Sequence, residues 1–231
     1  MMMEKRFDGR KFDELREIEV KVGILSACDG SAMFRIGNTI AIAGAFGPRE
    51  CHPKHLQDPE KAILKCHYDM MTFSVPERKS PGPGRREIEL SSVIRRALTP
   101  AIFLEEFPKT SIDVFIQIMQ ADAGTRCASI CAASLALAEA GIPMRDLVSA
   151  VGVGKVNGKL VLDLTKEEED TEGAVDMPIA IMPGKKKITL LQMDGKLSRD
   201  ELEEAIKLGV KGCLQIYEIQ KKALKEKYKV R

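Results

Sequence analysis

In this 231-residue chain, SIDVFIQIMQ (111–120) is followed directly by ADAGTRCASICAASLALAEAG (121–141), and the two segments predict a strand that leads into a helix. The first segment alternates apolar and polar side chains with a period of two, which predicts a half-buried β-strand. Residues 125–140 are rich in Ala, Ser and Cys, which predicts a helix that ends at Gly141 and Pro143. Side chains this small indicate that the helix is closely packed against its neighbours.

Upstream of this stretch, short apolar blocks alternate with turn residues. Strands are predicted at 17–24, 31–36, 39–46 and about 63–74, the first three forming a β-meander. The segments PRECHPKHLQDPEK and ERKSPGPGRR are predicted to be loops because polar residues, Pro and Gly dominate them. Apolar positions after Arg86 recur at helical spacing and predict a helix, which Pro100 should kink or divide.

Downstream, strands are predicted at 148–156, 159–164, 175–182 and 187–193, with Asn157-Gly158 and Pro183-Gly184 as hairpin turns. Ser198 and Glu201 form a capping box that opens a long C-terminal helix. The order of elements predicts a mixed α/β (α+β) fold in which helices cover sheets. A doubly wound Rossmann fold is excluded because strict alternation of strands and helices is missing.

Composition excludes several classes of protein. The 44% of apolar residues is that of an ordinary folded domain and excludes disorder. The formal net charge is only +2, so any basic site must be local. The first residues, MMMEKRFDGRKFDE, have no apolar segment typical of a signal peptide, and no run of about 18 apolar residues could span a membrane. We therefore expect a cytoplasmic protein with no membrane partner and with reduced cysteines.

One group of zinc-type ligands needs to be weighed. It contains two thiols and all three histidines: Cys51, His52, His55, Cys66 and His67. The spacing matches no standard zinc pattern, and lysines at 54 and 65 would place positive charge beside the cation. Zinc is therefore the disfavoured interpretation.

Gly124, Thr125 and Arg126 stand where the predicted strand ends and the helix begins. Free amide N–H groups, the positive end of the helix dipole and a guanidinium would meet there, which favours an anion such as phosphate. Alternatively, Gly124 only permits the turn and Thr125 caps the helix. Arg85 and Arg86 occupy the start of the other internal helix, where they form either a second anion site or a solvated charged face.

Acidic residues form the third feature. Positions 167–170 and 172 are predicted to be a solvated acidic run, whereas Asp176 stands alone inside the apolar AVDMPIAIMP. A lone carboxylate at the mouth of a buried strand is costly unless it has a partner or a task. Asp170 and Asp176 could together hold a hard divalent ion. Neither a P-loop nor a GxSxG motif is present, which leaves phosphate chemistry.

Several long motifs in order resemble the RNase PH family, and within it the catalytic RNase-PH-like subunits of archaeal exosomes. They are RFDGR (6–10), GPRECHPKHL (47–56), PGPGRREIELSSVIRRAL (81–98), residues 121–147 and EGAVDMPIAIMP (172–183). The resemblance implies the fold shared with the second domain of ribosomal protein S5, built from βαβα units. It implies one domain over residues 1–231, with halves at about 1–145 and 146–231.

The resemblance also implies phosphorolysis of single-stranded RNA from its 3′ end, with inorganic phosphate as co-substrate, and a reverse reaction that adds 3′ tails. It assigns Gly124, Thr125, Arg126 and Arg86 to phosphate. It assigns Arg85, Arg86, Lys65 and His67 to RNA, although archaeal relatives often carry arginine at 65 and 67. Asp176 and Asp170 would be catalytic, with Mg²⁺ as their metal.

The implied partners are a sister RNase-PH-like subunit in a 3:3 hexameric ring and RNA-binding cap proteins. Two alternatives stay open: a non-catalytic ring subunit that only binds RNA, and a stand-alone, bacterial-type RNase PH that trims tRNA 3′ ends. Asp176 together with an intact Gly-Thr-Arg turn favours the catalytic interpretation over the first alternative.

Overall fold

The computed structural model describes residues 6–229, so residues 1–5 of the stretch MMMEKRFDGRKFDE lie outside the described part of the chain. Five strands form the first sheet in the order β1-β2-β3-β5-β4. They are β1 (Ile18–Val22), β2 (Gly30–Ile36), β3 (Thr39–Glu50), β4 (Ile63–Met70) and β5 (Thr110–Gln120). The meander β1-β2-β3 is confirmed, and only β4 and β5 pair in parallel.

Four antiparallel strands form the second sheet in the order β7-β6-β8-β9. They are β6 (Ser149–Val156), β7 (Lys159–Leu162), β8 (Val175–Met182) and β9 (Lys187–Leu191). Both predicted hairpin turns are confirmed: Asn157 and Gly158 join β6 to β7, and a single 3₁₀ turn, Pro183–Lys185, joins β8 to β9.

Four α-helices complete the described part of the chain: α1 (Arg85–Leu98), α2 (Thr125–Glu139), α3 (Lys166–Glu169) and α4 (Arg199–Lys227). Short 3₁₀ turns lie at Lys54–Leu56, Thr99–Ala101 and Leu104–Glu106. Pro100 divides its helix as predicted, because α1 ends at Leu98 and a 3₁₀ turn follows. The capping box of α4 is confirmed, since Ser198 N–H donates to Glu201 Oε2 at 2.8 Å and Glu201 N–H donates to Ser198 Oγ at 3.3 Å.

Two predictions about loops are wrong. Strand β3 continues to Glu50 instead of ending near 46, because Pro48, which has no N–H, falls in a pairing irregularity between Phe46 and Arg49. The acidic run is not wholly solvated, because it contains α3. Glu168 of that helix is buried and lies 2.6 Å from the guanidinium of Arg6.

Helix α2 contacts strands of both sheets and joins them in one core. Ala128, Ala132 and Ala136 are essentially inaccessible to solvent. Gly30 shows how close the approach is, because a Cβ there would lie 2.3 Å from the carbonyl oxygen of Ala136. The small side chains therefore allow the close packing that the sequence predicts, and this packing fixes the N-terminus of α2 at the junction between the sheets.

All six cysteines are free; Cys28 is half-buried and the other five are buried. Burial raises the pKa of Cys66 and of Cys131 to about 12. None of the helices within residues 6–229 has both the length and the hydropathy needed to cross a bilayer.

Candidate active site

The turn between β5 and α2 builds one wall of the site. Ala123 and Gly124 both adopt left-handed backbone conformations, with φ of 57° and 66°. Gly124 is the N-cap residue and Thr125 makes no capping hydrogen bond; its hydroxyl instead accepts one from the Tyr68 hydroxyl at 3.2 Å. The alternative in which Thr125 caps the helix is therefore wrong.

The first amides of α2 are available to a ligand. Ala128 N–H donates to the Gly124 carbonyl at 3.0 Å, so the three preceding amides have no partner within the helix. Those amides belong to Thr125, Arg126 and Cys127, which all line a cleft. Together with the helix dipole they form a site suited to an anion.

The cleft has a volume of about 610 Å³ and is walled by the second sheet, by the segment after β9 and by α1, α2 and α3. The structure brings five predicted site residues together in its lining: Arg86, Gly124, Thr125, Arg126 and Asp176. The guanidinium of Arg126 donates from Nη1 to Gln192 Oε1 at 2.7 Å. Its buried Nε has no hydrogen-bond partner within the described residues, and an anionic oxygen in the cleft would satisfy it.

Asp176 is the second residue of β8, opposite Gly154 of β6. Gly152 lies beside its carboxylate, since a Cβ there would be in ordinary van der Waals contact with Asp176 Oδ1, at 3.6 Å. On the other side, the backbones of Asp176 and Asp194 exchange hydrogen bonds of 3.0 and 2.8 Å. Burial, and then the charge of Glu169, raise the pKa of Asp176 to about 6, against the opposing effect of Arg126. The carboxyl therefore keeps its proton to a higher pH than an ordinary aspartate does.

Four predicted site residues do not line the cleft, and the first two are Asp170 and Arg85. Asp170 is 61% exposed, lies outside the cleft lining and pairs with Lys166 Nζ at 2.5 Å. The expected pair of Asp170 with Asp176 is thus not formed, because α3 turns Glu169 toward the cleft instead. Arg85 is exposed and is not among the lining residues, although its neighbour Arg86 is.

Sequence reasoning missed four polar residues of the cleft: Glu89, Glu169, Gln192 and Asp194. Glu169 could have been found from the Thr165 to Glu168 capping box, which sets the phase of α3. Gln192 and Asp194 follow β9. The predicted hairpin pairs β9 with β8, but nothing in the sequence indicates the register shift between Ala180 and Ile181 that accompanies the placement of these residues beside Asp176.

Lys65 and His67 lie on the outer face of β4. Their neighbours Leu64 and Cys66 face the core, so these two side chains point away from it. The His67 ring stacks on exposed Phe115, with 4.8 Å between centroids, and Lys65 Nζ lies 4.0 Å from Asp113. Neither residue lines the cleft. Because Cys66 and His67 face opposite ways, the zinc group is not assembled, and residues 6–229 contain no cluster of three or more metal-type ligands.

The electrostatic layout of the cleft is polarised. The basic groups are Arg86, Arg126 and the free amides of α2, and Asp176, Asp194 and Glu169 supply carboxylates. Glu89, on the same helix as Arg86, adds a fourth carboxylate. At 4 Å and an effective dielectric constant of about 20, each guanidinium attracts an anionic oxygen by roughly 4 kcal/mol before desolvation. Such a site can hold a phosphate on one side and deliver a proton from the other.

Comparison with known proteins agrees with this geometry. Residues 14–143 match the model of the 3′ exoribonuclease family, domain 1, and residues 146–212 match domain 2 of the same family. The exosome complex component Rrp41 of Pyrococcus furiosus is 60% identical over 97% of this chain and 89% of its own length. The Rrp41 component of Nitrosopumilus maritimus is 54% identical over 97% of this chain and 91% of its own length.

Among solved structures, rice (Oryza sativa) Rrp46 superposes with a TM-score of 0.83 at 26% identity. The match covers 94% of this chain and 98% of the rice chain. The predicted mixed fold of the RNase PH type is thereby confirmed. Since both family models match and together span most of the chain, this protein belongs to the RNase PH, or 3′ exoribonuclease, family.

Proposed function

We propose that this chain is a phosphate-dependent 3′→5′ exoribonuclease and the catalytic subunit of an archaeal exosome ring. One observation carries the proposal: the phosphate-type site at Arg126 and the proton-holding Asp176 share one cleft. The similarity to Rrp41 exosome components over nearly the whole chain supports it.

The residues of the cleft act on two anions that repel each other. Arg86, Arg126 and the α2 amides bind inorganic phosphate and hold it in line with the last phosphodiester of the RNA. A phosphate oxygen forms the new bond to phosphorus while the bond to the 3′-oxygen breaks. Asp176 gives its proton to that leaving oxygen, and the products are a nucleoside diphosphate and a shortened RNA.

The oxygen donors of the cleft also fit Mg²⁺. This ion binds proteins through one or two carboxylates and keeps several waters. Asp176 and Asp194 are cross-strand neighbours that both line the cleft, so they would hold it, whereas the predicted ligand Asp170 points elsewhere. The ion would supply positive charge for the oxygens that gain charge in the reaction.

RNA reaches the cleft from a wider surface. We assign Arg85, Lys65 and His67 to contacts with the RNA backbone and bases, outside the cleft itself. A net charge of +2 gives one subunit little hold on a polyanion. The proposal therefore includes a sister subunit in a 3:3 ring, RNA-binding cap proteins and a cytoplasmic location.

The experiment uses the purified chain, alone and with its sister subunit, on single-stranded RNA with and without inorganic phosphate. Release of nucleoside diphosphate that requires phosphate, and 3′ extension when diphosphate is in excess, are the expected results. Monophosphate release in phosphate-free buffer would show that water is the nucleophile. Inactivity of the complete ring would favour the non-catalytic role, and full activity of a homo-oligomer would favour a stand-alone RNase PH.

A further inference from the structure

The N-terminal segment, residues 6–16, contributes buried charge next to the phosphate-type turn. Arg6 and Arg16 are both almost inaccessible to solvent, at 3% and 8% exposure. Long cationic side chains are rarely buried to this extent unless several groups pair with them. Their partners lie far away in sequence, at residues 122, 163 and 168.

The turn that Arg16 contacts has an unfavourable backbone conformation. Ala123 has a positive φ although it carries a Cβ, and Gly124 follows it in the same left-handed region. Such a turn persists only when its neighbours hold it. Arg16 Nη1 donates to the Asp122 carbonyl at 2.5 Å. Thr39 accepts from Asp122 N–H at 2.9 Å and donates to the Ala123 carbonyl at 2.7 Å.

Arg16 is itself fixed by Asp163. The carboxylate of Asp163 receives Arg16 Nε at 2.9 Å, Nη2 at 2.7 Å and the Arg16 backbone N–H at 2.9 Å. Burial is the largest single effect and lowers the pKa of the guanidinium, but the hydrogen bond and charge of Asp163, together with the charges of Asp122 and Asp8, outweigh burial and raise that pKa. A two-pronged pair of this kind fixes direction as well as distance. Lysine could not reproduce it.

We infer that Arg16, clamped by Asp163, is a positioning residue that holds the Asp122–Gly124 turn in the conformation that directs the α2 amides and Arg126 at phosphate. The inference rests on the proposed function. It assigns a task in phosphate recognition to a residue outside the cleft lining. Pre-ordering the turn means that phosphate binding does not have to order it.

The test is Arg16→Lys, which keeps the charge and loses the fork. We expect KM for inorganic phosphate to rise about tenfold or more while kcat at saturating phosphate and KM for RNA stay within about twofold. Calorimetric titration with inorganic phosphate alone should show the same loss of affinity. Because that titration needs no turnover, it tests Arg16 even if the wild-type chain proves not to degrade RNA, a result that would instead overturn the proposed function.

Arg6→Lys is the matched control. Arg6 is equally buried, pairs with Glu168 and donates to the Leu162 and Asp163 carbonyls, but makes no hydrogen bond to the turn. We expect its phosphate affinity to match the wild type even if its melting temperature falls. Equal losses in both variants, or none in Arg16→Lys, would overturn the inference.

A second pair of variants applies if Arg16→Lys does not fold. Thr39→Val keeps the shape and loses both hydrogen bonds to the turn, whereas Thr39→Ser keeps the hydroxyl. Weaker phosphate binding in the valine variant, restored in the serine variant, supports a turn that must be held. Equal affinity in both variants contradicts it.

Discussion

Asp176 stands between apolar neighbours on β8 and faces the cleft that holds the phosphate-type turn. In Asp176→Asn the shape is kept while the proton and the charge are lost. We expect kcat for phosphorolysis to fall by roughly 10²–10⁴-fold, the usual contribution of a positioned acid. The measurement is nucleoside diphosphate release by the assembled ring. Asp13→Asn is the control, because Asp13 is half-exposed, pairs with Lys211 and does not line the cleft. A variant that keeps more than about a tenth of the rate would remove Asp176 from the chemical step.

The raised pKa of Asp176 also predicts how the stability of the wild type and of Asp176→Asn depends on pH. The folded pKa of Asp176, about 6, lies above its ordinary value of 3.8, so the folded protein binds the proton more tightly than the unfolded chain. Wild-type stability should therefore decline as pH rises from about 4 to 6, whereas Asp176→Asn should escape that decline. We expect the asparagine variant to be the more stable of the two at pH 8 and the difference to vanish below pH 4. Urea unfolding at several pH values measures it, and parallel curves would contradict the assigned pKa.

Asp170 and Asp194 allow the metal assignment to be tested. Asp194 lines the cleft beside Asp176, whereas Asp170 is paired with Lys166 outside it. We expect Asp194→Asn to weaken the binding of Mn²⁺, used as a probe for Mg²⁺, by about tenfold or more, and Asp170→Asn to leave it within about twofold. Titration followed by electron paramagnetic resonance gives the result without activity. A larger loss of Mn²⁺ affinity in Asp170→Asn than in Asp194→Asn would instead support the prediction from the sequence that Asp170 is a metal ligand.

The first turn of α1 places two adjacent arginines in different surroundings. Arg86 lines the cleft and Arg85 is exposed outside it. Arg86→Ala should therefore raise KM for phosphate by about tenfold, while Arg85→Ala should leave that KM within about twofold and weaken RNA affinity only. Steady-state kinetics at varied phosphate, with RNA binding measured separately, would show the split. Equal effects of the two substitutions on phosphate would contradict it.

The elements themselves could be predicted largely from periodicity. Strand β5 alternates cleanly, and α2 is marked by its small residues and by Gly141, so both are found without any tertiary information. What failed depends on contacts between distant residues. Glu168 is buried because Arg6, 162 residues away, pairs with it, and Asp194 joins the site only through the register of a sheet. A local pattern carries neither kind of information.

The small net charge of +2 affects how the chain assembles on RNA. We predict that the chain alone is weakly active or inactive and gains activity when a 3:3 ring encloses the RNA path. RNA affinity of the ring should fall steeply with salt, with a slope in log units of about −0.7 per neutralised phosphate. Mass measurement and titration at several salt concentrations check both parts. A fully active monomer, unchanged by the sister subunit, would refute the ring argument.

The division of the chain into halves near residue 145 stays an interpretation. The two sheets fall on either side of that point, yet α2 and one continuous apolar core join them. We therefore interpret the chain as a single domain. The roles of Gly124, Arg126 and Asp176 came from the resemblance in sequence, because periodicity and composition cannot assign a role to a single residue. The structure adds that all three line one cleft.

Because the six thiols are unequally buried, the number of thiols that react with an alkylating reagent measures how far the chain has unfolded. Only Cys28 is partly accessible, so a small alkylating reagent should modify one thiol in the native chain and six in the unfolded one. The additional thiols lie in β4, α2 and α4 and beside β3, so the order in which they become labelled under mild denaturation would report which elements open first. Mass spectrometry of partly labelled ring and free subunit would then map where assembly suppresses local opening.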